Sequence, residues 1–245
     1  MVIESVQNEK IKYFKKLRET KYIKEYKEFI VEGEHLVEEA IKNGYAKELI
    51  ILAGKDYNTD LPRVFVSDNV LKSISLLKTP QYVMALCKIK DNNEIIGSRL
   101  LLLDNVSDPG NLGTIIRSSV AFNIDTVILS EDSVNLYNDK VVRSSEGMIF
   151  NINIITMNLK TAIKEIKNRN IKVYGTDLKG SKYLDEEGIP SSYALVLGNE
   201  GQGIKKEILD LCDENIKIEM SNNCESLNVG VAASIILYKW RNLWI

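Results

Sequence analysis

The sequence predicts an α/β protein in two parts: a small alternating α/β unit, then a mainly parallel sheet with helices on both faces. Three observations predict it. Strand-like and helix-like segments alternate almost throughout, the pattern of crossover-connected parallel strands. The run LLLLDNV (100–106) is continuously apolar, as a strand covered on both faces must be. Between the two parts, KDNNEIIGSR (90–99) is polar and carries a glycine, which places a linker there and gives domains of 1–95 and 96–245.

In the first part, residues 6–27 read as one helix and FIVEGE (29–34) as a short strand and turn. HLVEEAIKNG (35–44) is a second helix with Gly44 in the stop position. KELIIL (47–52) and RVFVSD (63–68) are short β-branched runs and read as strands. Asp68 or Asn69 is placed to cap the helix VLKSISLL, and YVMALCKI (82–89) reads as one more strand. In the second part, the strand 100–106 is followed by the helix LGTIIRSSVAFN and the strand DTVILS (125–130). A helix near 138–146, the strand INIITM (152–157) and the helix LKTAIKEIKNRN follow. Strands IKVYGTDL (171–178) and YALVLG (193–198), the helix IKKEILDLCDE, the strand NIKIEM (215–220) and the helix LNVGVAASIILYKWRNLW complete the order.

Composition bounds the function. With 44% hydrophobic and 27% charged residues over 245 positions, the chain can bury a core without metal or disulfide staples. Cys87, Cys212 and Cys224 are odd in number and form no CxxC pair, which argues against a disulfide framework or zinc site and suits a reducing compartment. The opening MVIESVQNEKIKYFKKLRE is too charged for a signal peptide, and no apolar run reaches about 18 residues. A cytoplasmic protein with no membrane contact is expected. Net charge is −2, yet between Lys10 and Lys27 eight basic residues face only Glu19 and Glu25. Tyr13, Phe14, Tyr22 and Tyr26 are interleaved there. A solvated helix with aromatics facing the core and an RNA-contacting arm explain this segment equally well.

Ligands of open parallel sheets bind beyond the carboxyl ends of the strands, so the loops there carry the functional information. In DNVSDPGNLGTIIR (104–117), Pro109 and Gly110 make a sharp turn, Asn111 is placed to cap the next helix, and Arg117 lies about two turns into it. Taken singly, a plain cap and a surface salt bridge account better for Asn111 and Arg117 than chemistry does. In LVLGNEGQGIKKE (195–207), Gly198, Gly201 and Gly203 let a ligand approach the main chain. This is neither a dinucleotide fingerprint nor a phosphate loop, and Glu200 would repel a phosphate, so a cationic ligand suits it better. In KIEMSNNCESLNVGVAAS (217–234), a strand ends in a polar loop that opens a helix of small residues fit for close packing.

Together these loops resemble the signature motifs of the SpoU (TrmH) family of RNA 2′-O-ribose methyltransferases. Asn105, Asp108-Pro109, Asn111, Gly113 and Arg117 are similar to the first motif, and Leu197-Gly198-Asn199-Glu200-Gly201 with Gly203 to the second. Ser226-Leu227-Asn228-Val229 with Ala232 is similar to the third. LYNDKVVRSSEGMIF (136–150), with Lys140, Arg143, Ser145 and Gly147, resembles the intermediate segment, Glu146 standing where a small or apolar residue is commoner. FIVEGEHLVEEA (29–40) resembles the accessory RNA-binding domain of ribosomal-RNA members, related to certain ribosomal proteins.

The resemblance implies a SPOUT-class domain with a deep trefoil knot, a homodimer whose active site is completed across the interface, and S-adenosyl-L-methionine as cofactor. It implies cofactor contacts at Leu197, Gly198, Gly203, Ile218, Met220 and Leu227, and no metal. Arg117 is the catalytic residue it points to, with Asn111, Glu200, Ser226 and Asn228 around it. A guanidinium stays protonated, so phosphate grip and alkoxide stabilisation suit Arg117 better than a base role. Lys10, Lys12, Lys15, Lys16 and Arg143 are the expected RNA contacts. His35, the single histidine, reads as a helix-terminus residue. The expected reaction is methyl transfer to a ribose 2′-hydroxyl, in 23S ribosomal RNA first. A transfer-RNA enzyme of the same family, a non-catalytic RNA-binding assembly factor and a nucleotide-binding protein are the rivals.

Overall fold

The apolar runs pair into two separate sheets in the computed structural model, which describes residues 2–179, 182–186 and 188–241. Two compact units result: Met1–Asp91 with Asn135–Phe150, and Asn92–Val134 with Asn151–Ile245.

The first unit runs β1 (Val2–Ile3), α1 (Glu9–Lys16), α2 (Thr20–Tyr26), β2 (Glu28–Glu32), α3 (Glu34–Lys42), β3 (Ala46–Leu52), β4 (Arg63–Val66), α4 (Asp68–Ile74) and β5 (Val83–Lys88). Its sheet order is β1-β4-β3-β5-β2, parallel across β1, β4 and β3 and antiparallel across β3, β5 and β2. On one face Ile11 and Phe14 of α1 and Val70, Leu71 and Ile74 of α4 pack with Ile50, Val66, Met84 and Leu86. The single helix expected over 6–27 is two. The chain breaks at 17–19, where the Arg18 guanidinium donates to the Ser73 and Ser75 carbonyls at 3.1 and 2.8 Å and so satisfies the C-terminus of α4. The cap residue of α4 is Ser67, in place of the expected Asp68 or Asn69, and its side chain makes no capping bond. Gly44, at φ +69°, does end α3 as read from sequence.

The second unit begins before its first strand. Ile95 is in its core, and Gly97 (φ +74°) sits where a Cβ would lie 2.1 Å from the Asp125 side chain, which accepts from the Ser98 and Arg99 amides at 2.8 Å. Then come β6 (Arg99–Leu103), α5 (Pro109–Ala121) and β7 (Thr126–Leu129). The stretch 135–150, with α6 (Asp139–Ser144), packs with the first unit although it lies far along the chain. Phe150 meets Tyr45 and Phe29 at centroid distances of 4.8 and 6.2 Å, and Tyr137 meets Phe29 at 4.6 Å. The His35 ring nitrogen lies 3.2 Å from the Glu146 carbonyl, near the start of α3 and away from the three signature loops in sequence.

The second sheet is completed by β8 (Asn153–Thr156), α7 (Leu159–Asn168), β9 (Val173–Thr176), β10 (Lys182–Tyr183), β11 (Tyr193–Leu197), α8 (Lys206–Leu209), β12 (Glu214–Lys217) and α9 (Val229–Lys239). All seven strands are parallel in the order β10-β12-β9-β11-β6-β7-β8. The central strands β6 and β11 are buried on both faces, as the uninterrupted apolar run required. One face is filled by Leu100, Leu102, Ile128, Ala194 and Val196 against Leu159, Ile163 and Ile166 of α7. The expected helix over 204–214 is shorter, ending at Leu209. Residues 242–244 of the expected C-terminal helix lie outside the described residues.

Candidate active site

The three loops singled out in the sequence are joined by side-chain hydrogen bonds. After β6, Asp108 caps α5 by accepting from the Asn111 amide at 2.8 Å, with Pro109 in the first helical position. The cap is thus Asp108, not Asn111. Asn111 lies inside the first turn, which frees its side-chain amide for long-range work. Its Nδ2 donates to Glu200 at 3.0 Å, and its Oδ1 accepts from Asn228 Nδ2 at 2.8 Å. Asn228 in turn caps α9, its Oδ1 accepting from the Gly230 and Val231 amides at 2.8 and 3.2 Å. One amide therefore bridges the loop after β11 to the start of α9.

Glu200 does more than sit in the turn. Its carboxylate accepts from the Asp108 amide at 3.1 Å and from Ser107 Oγ at 3.1 Å, besides Asn111. Partial burial works to raise its pKa, but the Asn111 hydrogen bond and the backbone amides outweigh that and hold it below the ordinary value of 4.5. Its contribution to loop order is present above that ordinary value and is lost as pH falls through the lowered one.

The glycine-rich turn closes on itself. Asn199 and Gly203 pair through reciprocal backbone bonds of 3.0 and 2.9 Å, and Asn199 Oδ1 accepts from the Gly201 and Gln202 amides. A Cβ at Gly198 would lie 2.1 Å from the Gly203 carbonyl carbon and 2.2 Å from the Ile204 nitrogen. Gly198 is needed first because the turn folds back onto it, a reason the sequence reading, which assigned the space to a ligand, did not contain. α9 meets α5 closely through small residues, as expected: a Cβ at Gly230 would touch Thr114 at 3.2 Å, and Ser118 and Ser234 hydroxyls bond at 2.7 Å.

A cavity of ≈ 360 Å³ opens at the carboxyl ends of β9, β11 and β12. Leu197, Gly198, Gly203, Ile218, Met220 and Leu227 all line it, together with Ser226 and Glu200. Ser226 stands at this wall, outside the Glu200–Asn111–Asn228 chain of hydrogen bonds. Arg117 is exposed on α5 and does not line the cavity. In the first unit, Lys10 pairs with Glu48 at 2.6 Å and Lys12 with Glu9 at 2.8 Å, while Lys16 and Lys21 lie over the Tyr22 ring at 5.6 and 5.4 Å. Arg143 is bonded along α6 to Asp139 at 2.6 Å. Asp104 was not singled out in the sequence, and Asn199 was named there only as part of the second motif, with no role of its own. The available signals were a carboxylate directly behind a buried apolar strand and an asparagine opening a glycine-rich turn.

Fold and site define a parallel α/β protein with a ligand cavity beyond its strand ends, walled by main chain and apolar side chains. Residues 98–238 match the model of the SpoU rRNA Methylase family, and residues 8–85 that of the MRM3-like substrate binding domain. The chain belongs to the SpoU rRNA methylase family. It is 36% identical over 98% of its length to the 23S rRNA (guanosine(2553)-2′-O)-methyltransferase RlmP of Bacillus subtilis, covering 98% of that protein. Its fold is similar to that of an AdoMet-bound rRNA methyltransferase from Sinorhizobium meliloti, with a TM-score of 0.86, 26% identity, and 98% of this chain and 97% of that one covered. It is also similar to the A. aeolicus TrmH/SpoU tRNA modifying enzyme, with a TM-score of 0.50 and 27% identity, but over only 59% of this chain and 74% of that one.

Proposed function

We propose that this chain transfers the methyl group of S-adenosyl-L-methionine to a ribose 2′-hydroxyl of 23S ribosomal RNA. One observation carries the reading. The Glu200–Asn111–Asn228 bonds lock the three signature loops together beside a cavity of cofactor size. At ≈ 360 Å³ the cavity falls within the range of small-molecule sites. Its walls suit the cofactor: Leu197, Ile218 and Leu227 offer apolar cover to an adenine, and the main chain of the turn, exposed over 200–203, lies along the same wall. When bound, S-adenosylmethionine supplies an electrophilic methyl group on a sulfonium.

The chain's own residues then have two tasks, holding the ribose and stabilising the charge that develops on its oxygen. Arg117 is assigned the second. Its guanidinium remains protonated, so it grips the target phosphate and stabilises the alkoxide, while the hydroxyl proton leaves to solvent water and the sulfonium departs as the neutral thioether. Asn111 orients the group that Arg117 meets, and Glu200, Asn228 and Ser226 keep the surrounding loops in register. The basic, tyrosine-bearing surface of α1 and α2, with Lys10, Lys12, Lys15 and Lys16, supplies RNA affinity, together with Arg143.

The relative that spans the full chain acts on 23S rRNA by its name, whereas the transfer-RNA enzyme matches just over half of it; this favours ribosomal RNA. A homodimer is part of the reading. It is supported by the apolar stripe Val231, Ile235 and Tyr238 on α9, which is 45%, 38% and 55% exposed at i, i+4, i+7 spacing. The deep knot and a cytoplasmic location belong to the same proposal; no described helix is long and apolar enough to cross a membrane. The test is twofold. Calorimetry should give one S-adenosylmethionine site per chain, and mapping of 2′-O-methyl groups in cells with and without the gene should lose a site in 23S rRNA. Absence of cofactor binding at millimolar concentration would leave the non-catalytic reading standing, and a lost site in transfer RNA would replace the substrate.

A further inference from the structure

The glycine-rich turn is held at both ends, and the far end rests on a buried carboxylate. Asp104 directly follows β6 and is only 1% exposed. Its Oδ2 accepts from the Lys205 amide at 2.7 Å, and its Oδ1 lies 3.7 Å from the Lys205 ammonium. The same ammonium bonds Asp132, whose other oxygen accepts from Ser130 Oγ at 2.6 Å. Ser130 Oγ in turn accepts from the Asn105 amide at 2.8 Å, and the Asn105 carbonyl accepts from Asn199 Nδ2 at 2.8 Å. The circuit therefore begins and ends on the turn, at Asn199 and at Lys205. None of Asp104, Asp132 or Lys205 lines the ≈ 360 Å³ cavity, whereas every residue from Leu197 to Ile204 does.

We propose that Asp104 and Lys205 are positioning residues for the cofactor, clamping the far end of the 199–205 turn so that its main chain stays in the binding geometry. The inference rests on the reading of that cavity as the S-adenosylmethionine site. A buried carboxylate demands a compensating charge, and Lys205 supplies it while its own backbone amide is the group being held. The charges answer each other: bonding to Asp132 raises the Lys205 pKa, and bonding to Lys205 lowers that of Asp132. Apart from the clamp, this end is held by the Asn199–Gly203 backbone pair and by α8, where the Lys205 carbonyl accepts from the Ile208 and Leu209 amides at 2.9 and 3.0 Å. Residues 201–203 are exposed, and Gly203 adopts φ +71°. With the clamp released, the turn gains freedom that cofactor binding must then remove.

The decisive variant is Lys205→Met; the lysine head is 43% exposed. Because the change leaves the buried Asp104 without its cation, thermal unfolding is measured beside it and Lys205→Arg serves as the folded control. The Met variant keeps the backbone amide and the side-chain length but removes the ammonium. Affinity for S-adenosylmethionine should fall by roughly fivefold or more. The KM for cofactor should rise while kcat at saturating cofactor and the KM for RNA change far less. Lys205→Arg should restore affinity, because charge is what the site needs. Hydrogen exchange in the ligand-free protein should quicken across 199–205 in the Met variant and not in the Arg variant. Asp104→Asn, which keeps an acceptor for the Lys205 amide, should fall between them. Wild-type affinity and exchange in Lys205→Met, or equal losses in the Met and Arg variants, would overturn the clamp. A wild-type protein that binds no S-adenosylmethionine would remove the functional reading and this coupling with it. Normal wild-type binding beside unaffected variants would remove the coupling alone.

Discussion

Gly198→Ala is the smallest change that tests how the cofactor turn is built. The added Cβ would lie 2.1 Å from the Gly203 carbonyl carbon and 2.2 Å from the Ile204 nitrogen. Non-bonded carbons settle near 3.5–4.0 Å, so the two backbones must part by more than about 1 Å. Both neighbours are main chain, and no rotamer change relieves the clash. The separation would break the reciprocal Asn199–Gly203 bonds of 3.0 and 2.9 Å. Two such bonds contribute roughly 1–3 kcal/mol net to turn order, equivalent to roughly a 5- to 150-fold loss of cofactor affinity. The damage should stay local, because Asn199–Gly203 lies outside the sheet core. Calorimetric titration with S-adenosylmethionine, alongside thermal unfolding, reads both quantities. Affinity within twofold of wild type would show that the turn tolerates the methyl group and that cofactor binding does not depend on the Asn199–Gly203 backbone closure.

Arg117→Ala should leave cofactor affinity nearly intact, since Arg117 does not line the cavity, yet lower single-turnover methylation of a ribosomal-RNA fragment by two or more orders of magnitude; near-wild-type turnover would move alkoxide stabilisation to another group. Neutralising Lys10, Lys12, Lys15 and Lys16 together should weaken RNA binding and flatten its salt dependence without touching cofactor affinity. Lys10 and Lys12 already pair with Glu48 and Glu9, so most of the effect should come from Lys15 and Lys16, which separate double variants can check. Phe150→Ala should cost about 3 kcal/mol in urea unfolding, because this buried ring packs on Tyr45 and Phe29 in the first unit. A loss below about 1 kcal/mol would mean that 135–150 contributes little to that core.

Much of the site was legible because its signals are local. A continuously apolar strand between helices announces a covered parallel sheet, and β6, with Leu100–Leu103 fully buried, is one. Clustered glycines after β11 announced a turn, and the polar loop after β12 announced a helix of small residues, which Asn228 caps through its Oδ1. Each follows from backbone preference over a few residues. Where the sequence reading failed, several candidates competed within one turn. Asp108 and Asn111 are both good capping residues, and only the path of the chain, extended at Asp108 with φ −80° and ψ 122°, decides that Asp108 caps. That choice released Asn111 to join Glu200 and Asn228, residues 89 and 117 positions away. The break at 17–19 has the same character, because Arg18 is drawn to the end of α4, more than fifty positions on. So has the placement of 135–150, whose aromatic residues pack on Phe29 and Tyr45. Local residue preference thus determined the elements, the loops and the family motifs. Tertiary packing decided which side chain satisfies which, because a buried carboxylate such as Asp104 takes its partner from whatever segment the fold brings within hydrogen-bond reach.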